Sequence, residues 1–225
     1  MWEPGLTGTL LILGAGGHAL VVAETALSGS AFSHVAFLDD NTSHPAERYS
    51  SVSGAVLGPL ALALEAPIQQ HFEAAFVAIG DASIRLNWLH QLKQAGYDLP
   101  AILHPHAWIS PSAVIGPGSV ICANAAVQAN AQLGVGVIAN TGCSIDHDVV
   151  LADGVHICPG AHLAGHVHVG ACSWIGIGAS VIQQVRIGSS VTVGAGAAVV
   201  HDLPNMVTAV GVPARILPKP FNSSP

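Results

Sequence analysis

From Ile109 onward an aliphatic side chain recurs every six residues, and no other feature of the sequence limits the possible folds so sharply. Steps of six run through Ile109, Ile115, Ile121, Val127, Leu133, Ala139, Ile145, Leu151, Ile157, Leu163, Val169, Ile175, Val181, Ile187, Val193 and Val199, and fifteen of these sixteen positions are branched aliphatics. Four residues after each stands Ala, Ser, Cys or Val as far as Ala197, and glycine follows the aliphatic at Gly116, Gly134, Gly170, Gly176, Gly188 and Gly194. Neither an amphipathic helix nor an antiparallel sandwich has a period of six. The hexapeptide repeat of a parallel β-helix does, with three hexads closing one triangular coil of about eighteen residues. The aliphatic points into the prism, the small residue fills the corner, and Ile109 to Val199 amounts to about five coils.

The first hundred residues follow a different grammar. TLLIL is a buried-strand run followed by the glycine turn GAGGHA and a helix-compatible stretch, LVVAETAL. HVAFLDD and FVAIGD repeat the pattern of a strand ending in a polar or glycine turn. Ser83 to Ala95 is expected to be helical, with Ile84, Trp88, Leu89 and Leu92 on one face. The expected fold is therefore an α/β N-terminal domain with a small parallel, Rossmann-like sheet over residues 1–100, then a left-handed parallel β-helix over 101–217, then a loose tail at 218–225. The linker is placed around Tyr97 to His106. A ligand of the first domain belongs at the carboxyl ends of its strands.

Composition narrows the function classes. Charged residues make up only 8% of the chain, far below the roughly 25% usual in globular domains, so much of the surface must be closed by Gly, Ser, Asn, His or a partner subunit, which favours an oligomer. A formal net charge of -7, with six Lys plus Arg and no basic run, offers nothing to neutralise a nucleic-acid backbone. The N-terminal apolar run is too short for a membrane span and lacks a positive flank, so a cytoplasmic, membrane-free protein is expected. Cys122, Cys143, Cys158 and Cys172 form no CxxC pair and read as reduced, buried thiols.

Such a prism has rigid sides and no deep pocket of its own, so a cleft is most easily made between two prisms. Within it His147 stands out among thirteen histidines. It lies in SIDHDVV between Asp146 and Asp148, either of which can orient the ring as a carboxylate does in a catalytic triad. Its neighbours one coil away, Ala129 and Gly165, are both tiny, which suggests room beside the ring for a ligand. A second column, Pro159, Ile177 and Ala195 with Gly160, Gly178 and Gly196 beside it, reads as a smooth groove for a pantetheine arm.

GAGGHA, FLDD and AIGD after successive strands, then ISPSAVIG, VIANTGCSIDHD, VHICPGAHLAG and AVGVPAR, occur in the order found in the NeuD-like sugar acetyltransferases. Over roughly Leu10 to Leu217 the chain resembles that family, and most of all its PglD-like N-acetyltransferases of the bacillosamine pathway. The resemblance implies acetyl-CoA as cosubstrate, no metal, a homotrimer with active sites between protomers, and direct acetylation of a UDP-linked 4-amino sugar. It implies His147 as the base with Asp148 raising its basicity, His156 at the thioester, and Gly165, Ile177 and Ala195 along the CoA path. For the sugar nucleotide it implies Gly16, Gly17 and His18 at the diphosphate, Asp39 and Asp40 at the uracil or ribose, Gly80 at the base or sugar, and Asn140 at the sugar.

Other readings stay open at this level. GAGGHA with Asp39 downstream also fits a dinucleotide fingerprint, which predicts NADH binding. The cluster His162, His166 and His168 suggests a zinc site like that of β-helical carbonic anhydrases. Within the resembling family, GDP-perosamine N-acetylation and sialic acid O-acetylation are alternatives.

Overall fold

The structure, a computed structural model, describes residues 8–218 apart from 30, 42–45, 53 and 73. The expected loose tail lies, from Lys219 onward, outside the described residues. Strands β1 (Thr9–Leu13), β2 (His34–Leu38), β3 (Val56–Gly58) and β4 (Ala74–Val77) form one parallel sheet in the order β3-β2-β1-β4. Every residue of β1 is buried, because the sheet is covered on both sides and its central strand has no solvent face. Leu10 and Ile12 pack with Ala19, Val22 and Ala23 of helix α1 (Gly17–Ser28). Leu11 and Leu13 point the other way, toward Leu89 and Leu92 of a second long helix. A single-turn helix α2 (Ala66–Gln69) precedes β4. No helix among the described residues is long and apolar enough to cross a membrane.

That second long helix, α3 (Ala82–Gln94), is capped by Asp81, whose carboxylate accepts from the Ile84 N–H at 2.9 Å. Its buried face differs from the one expected. Leu89 and Leu92 are inside, but Ile84 is 48% exposed and its place is taken by Arg85, which is fully buried. The spacing 85, 89, 92 is a proper helical stripe. Arg85 can join it because four backbone carbonyls receive its guanidinium.

The hexads close into a left-handed parallel β-helix of two-residue strands on three faces. The first face carries Ile102–Leu103, Val120–Ile121, Ile138–Ala139, His156–Ile157, Trp174–Ile175 and Thr192–Val193 in parallel. It ends in Thr208–Val210 and an antiparallel return strand, Arg215–Ile216. The second face runs from Trp108–Ile109 to Ala198–Val199 and the third from Val114–Ile115 to Arg186–Ile187. From Ile121 to Val199 every six-step aliphatic is buried in one cluster, together with the small residues that follow four positions later. At Gly176 an added Cβ would come within 2.5 Å of the Val193 carbonyl oxygen, so the glycines after the aliphatics allow one coil to lie close on the next.

The corners have their own period of six. Gly118, Asn124, Asn130, Gly136, Gly142, Asp148, Gly154, Gly160, His166, Cys172, Gly178, Gln184, Ser190 and Gly196 all have φ between 55 and 71°. This left-handed conformation turns the chain from one face to the next, and glycine and asparagine adopt it most readily. Counting from the faces, residues 177–178 and 195–196 lie at the corner between first and second faces. Residues 147–148 and 165–166 lie between second and third, and 135–136 and 153–154 between third and first.

The segment read as a linker is paired on both sides. Asp98 bridges Ala74 of β4, and Ile102–Leu103 is already the first rung of the prism. Ile102, Val120 and Ile138, on the first face, share an apolar cluster with α1. The α/β sheet thus sits on the lower rungs of that face, and its cover stops at the next rung, His156.

Candidate functional site

Two groups of residues meet at the edge of that cover, and a third stands apart from it. The first is the carboxyl end of the small sheet, where β1 runs into the glycine loop. Gly16 precedes α1 and Gly17 begins it. Both are exposed, no side chain caps the helix, and nothing stands within 4 Å of a Cβ added at Gly16. An uncapped helix N-terminus with open space before it favours an anion. Asp39 does not face that space alone, since its Oδ2 accepts from Ala15 N–H at 2.6 Å and its Oδ1 from Asn41 N–H at 2.8 Å. Asp40 accepts from Leu60 N–H at 3.0 Å. The buried Tyr49 hydroxyl donates to the Ala15 carbonyl at 2.8 Å, so the glycine loop is held from two sides. Gly80, after β4, also has nothing within 4 Å of an added Cβ.

Arg85 joins this end of the sheet to the prism. Its guanidinium donates to the carbonyls of Ile79 and Gly80 in its own domain, and to those of Gly136 and Gly154 at two successive prism corners, all at 2.8 to 2.9 Å. Burial pulls its pKa down to about 10, which still leaves it charged at neutral pH. Sequence reasoning missed Arg85 because its partners are main-chain oxygens that no side-chain pattern encodes.

The second group is the seam itself. His18 does not reach out toward the open loop. Its ring stacks on His156 with centroids 6.5 Å apart, and its buried Nε2 has no hydrogen-bond partner among the described residues. The Trp174 ring meets His156 edge-on at 6.3 Å. Burial, then the Arg85 charge, lowers His18 to about 4. Burial, then His18 and Arg85, lowers His156 to about 3. Both rings are therefore neutral at physiological pH. Asn140 fixes the His156 tautomer: its Oδ1 accepts from Thr141 N–H at 2.8 Å, leaving its Nδ2 to donate to His156 Nε2 at 3.3 Å. The ring proton of His156 then sits on Nδ1.

The third group stands at another corner. His147 Nδ1 lies 2.8 Å from Asp148 Oδ2, while Asp146 Oδ1 accepts the His147 backbone N–H at 2.8 Å. Asp148, in the left-handed conformation with φ 57°, is thus the carboxylate on the ring, and Asn130 Nδ2 donates to its other oxygen at 3.2 Å. The hydrogen bond to Asp148 raises the His147 pKa, against a smaller lowering from desolvation. With Nδ1–H held by the carboxylate, Nε2 is the lone-pair nitrogen of a ring that is about half exposed.

The expected space beside His147 is filled by the ring itself. A Cβ built on Gly165 would fall 2.5 Å from both Cε1 and Nε2, so this glycine is the seat of the imidazole one coil below. Gly165 therefore shares a corner with His147, whereas Ile177, 57% exposed, and the exposed Ala195 line the corner between first and second faces. There Gly160, Gly178 and Gly196 leave open space above the backbone. One chain thus places the base at one corner and the smooth groove at another.

The histidines weighed as a zinc cluster are dispersed. His162 is on a second-face strand and pairs with Ser144 at 2.8 Å, and His168 is on a third-face strand, while His166 is at the corner between. The four cysteines are free, three of them buried and Cys172 partly so. Burial pushes Cys122 up to about 11 and Cys143 and Cys158 up to about 12, keeping them as thiols.

A family model described as the PglD N-terminal domain matches residues 9–92. The chain is similar to the acetyltransferase domain of PglB from Neisseria gonorrhoeae, with 42% identity, a TM-score of 0.87, and coverage of 93% of this chain and 99% of that one. That domain has also been solved in complex with acetyl coenzyme A. PerB from Caulobacter crescentus, solved in complex with CoA and GDP-perosamine, is 36% identical over 95% of this chain and 99% of its own, with a TM-score of 0.85. WeeI from Acinetobacter baumannii is 28% identical, with coverage of 94% and 100% and a TM-score of 0.80.

Proposed function

Because the chain belongs to the PglD/NeuD-like sugar acetyltransferase family, and is an acetyl-CoA-dependent sugar N-acetyltransferase, we propose that it acetylates the 4-amino group of a UDP-linked 4-amino-4,6-dideoxy-N-acetylglucosamine. The observation that carries the reading is His147, with Nδ1 on Asp148 and the lone pair left to Nε2. The amine nitrogen attacks the thioester carbonyl while His147 Nε2 takes its proton. The tetrahedral intermediate then expels the CoA sulfur, which leaves with that proton as a thiol. No acyl-enzyme is needed, and the buried cysteines, held as thiols, are poorly suited to form one.

The developing oxyanion needs a donor. His156 is neutral and its Nδ1 carries the ring proton, which suits it to hydrogen-bond the thioester oxygen without adding a charge. The pantetheine arm would run along Ile177 and Ala195, and the nucleotide diphosphate would lie over Gly16 and Gly17. Asp39 and Tyr49 would act on that diphosphate by holding the loop, with Asp40, Gly80 and Asn140 around the nucleoside and sugar. Since the base and the groove lie at different corners, the complete site takes His147 from one prism and the groove with His156 from its neighbour. A homotrimer gives three such sites.

PerB, 36% identical and solved with GDP-perosamine, supports a second reading in which the same chemistry acts on a GDP-linked amino sugar. CoA release is measured with acetyl-CoA against UDP-, GDP- and dTDP-linked 4-amino sugars. We expect UDP to give the highest kcat/KM, and a preference for GDP would establish the second reading. His147→Ala should abolish transfer and leave nucleotide binding intact. Full activity in that variant would end the base assignment.

A further inference from the structure

We propose that the corner carrying His147 is also an inhibitory site for a divalent transition cation, Zn2+ in the first instance, bound by His147, Asp148 and His166. Residues 148 and 166 occupy the same left-handed corner position in successive coils, at φ 57° and 59°. That backbone turn projects both side chains outward on the same side as the His147 ring. His166 Nε2 lies 3.7 Å from Asp148 Oδ2, the oxygen that His147 Nδ1 meets at 2.8 Å. One ligand atom from each of the three residues falls within 4.8 Å of the others. The two imidazoles stand 5.2 Å apart and nearly perpendicular, at 88°, so they approach a shared point from different directions.

A cation held at about 2.0 to 2.2 Å by two nitrogens and a carboxylate oxygen spaces those atoms roughly 3 to 3.5 Å apart. The gaps of 2.8 and 3.7 Å bracket that spacing and the third lies within 4.8 Å, so side-chain rotations about exposed bonds can draw the set together. Two histidines and one carboxylate are borderline ligands that suit Zn2+ over Mg2+ or Ca2+. About half of each imidazole and a third of the carboxylate are open to solvent, which leaves a coordination position for water. The expected HxxxHxH cluster contributes only His166 to this set.

The inhibitory consequence rests on His147 being the base. A cation at Nδ1 takes the lone pair there, and the single proton of the neutral ring moves to Nε2. The nitrogen that must accept the amine proton is then already occupied, and Asp148 is drawn onto the cation. Neither the groove at Ile177 and Ala195 nor the glycine loop is touched, so substrates still bind while kcat falls.

The test titrates Zn2+ into chelator-stripped full-length protein by calorimetry, and in parallel follows formation of the acetylated sugar by chromatography, using the acceptor selected by the panel above. One Zn2+ should bind per chain, with transfer falling at the same midpoint. His166→Ala should keep the uninhibited rate and raise both midpoints by about tenfold or more, a loss that even an outer partner of a metal site can produce. Absence of binding, or equal Zn2+ affinity in His166→Ala, would overturn the site. Full transfer rate in Zn2+-saturated protein would overturn the inhibition. Failure of the base assignment reads out separately, as activity of His147→Ala without added metal. If His166→Ala does not fold, Co2+ titration of the unaltered protein and of His166→Asn replaces it. Tetrahedral Co2+ absorption in the first and its loss in the second is the expected result, and the same spectrum in both, or none in either, refutes the proposal.

Discussion

Replacing Gly165 by alanine places a methyl group where the His147 imidazole now lies. The built Cβ stands 2.5 Å from Cε1 and Nε2 and 3.1 Å from Nδ1. Since an ordinary contact needs about 3.5 Å between carbons, the ring must retreat by about 1 Å. It has room to do so, because half of the side chain faces solvent, and Gly165 does not have a positive φ that would itself resist a side chain. The stability change is accordingly small, because the only interaction disturbed is an exposed hydrogen bond to Asp148 that water screens and replaces. The catalytic change is large, because a base displaced by that distance loses roughly 100-fold in rate. Steady-state kinetics should show kcat reduced by that order with the acetyl-CoA KM little changed, and calorimetry should show Tm within a few degrees of the parent. A kcat within threefold of the parent would refute the idea that this glycine seats the base. A large fall in Tm would show that it serves the coil stack instead.

Three further predictions concern the seam and the assembly. Arg85→Met keeps much of the side-chain volume but removes the donors from two buried carbonyls, of Gly136 and Gly154, and from two partly exposed ones; a loss of about 2 to 4 kcal/mol and a Tm lowered on the order of 10 °C are expected, and an unchanged melting curve would refute the clamp. His18 and His156 have folded pKa values of about 4 and about 3 against 6.5 unfolded, so the unfolded chain binds protons first as pH falls. Their contribution is complete above pH 6.5 and is lost toward pH 4 and 3, on the order of 2 kcal/mol for each ring by pH 5. Urea unfolding at pH 7 and pH 5 measures this, and an identical pH dependence in a His18→Gln, His156→Gln protein would contradict it. Finally, co-expressing His147→Ala with His156→Ala should restore about a quarter of the sites by random pairing of subunits. Transfer no higher than the sum of the two variants alone would mean that each site lies within a single chain.

How much of this was legible before the fold was known depends on where the information resides. The prism was legible because one period governs its whole length, and the strand–turn pattern of the first domain put Gly16 and Gly80 just after strands, where the structure also has them. The burial of Arg85 was not, since the Gly136 and Gly154 carbonyls lie 51 and 69 residues away in sequence and any residue type presents the same oxygen. Ile84 was wrongly placed on the buried face for the complementary reason: hydropathy ranks it above an arginine whose partners are invisible. The choice between Asp146 and Asp148 turned on the left-handed backbone at 148, which the corner series of Gly and Asn residues signals at steps of six. The same counting separates the corner of His147 and Gly165 from that of Ile177 and Ala195, which differ by twelve residues within a coil of eighteen. The homotrimer had only low charge and family resemblance behind it, because an assembly of copies is encoded in no single residue pattern of this chain.

A stack of parallel two-residue rungs is an open-ended template, because the last rung offers the same row of donors and acceptors that its predecessors used to recruit the next. Here the row on the first face is closed at its upper end. There the chain doubles back, and Arg215–Ile216 pairs antiparallel with Thr208–Val210. A second prism arriving end-on would meet a strand of the wrong direction with a cationic side chain on it. At that end the first face offers no parallel continuation of its stack, and an architecture built like a short length of fibre carries its own stop.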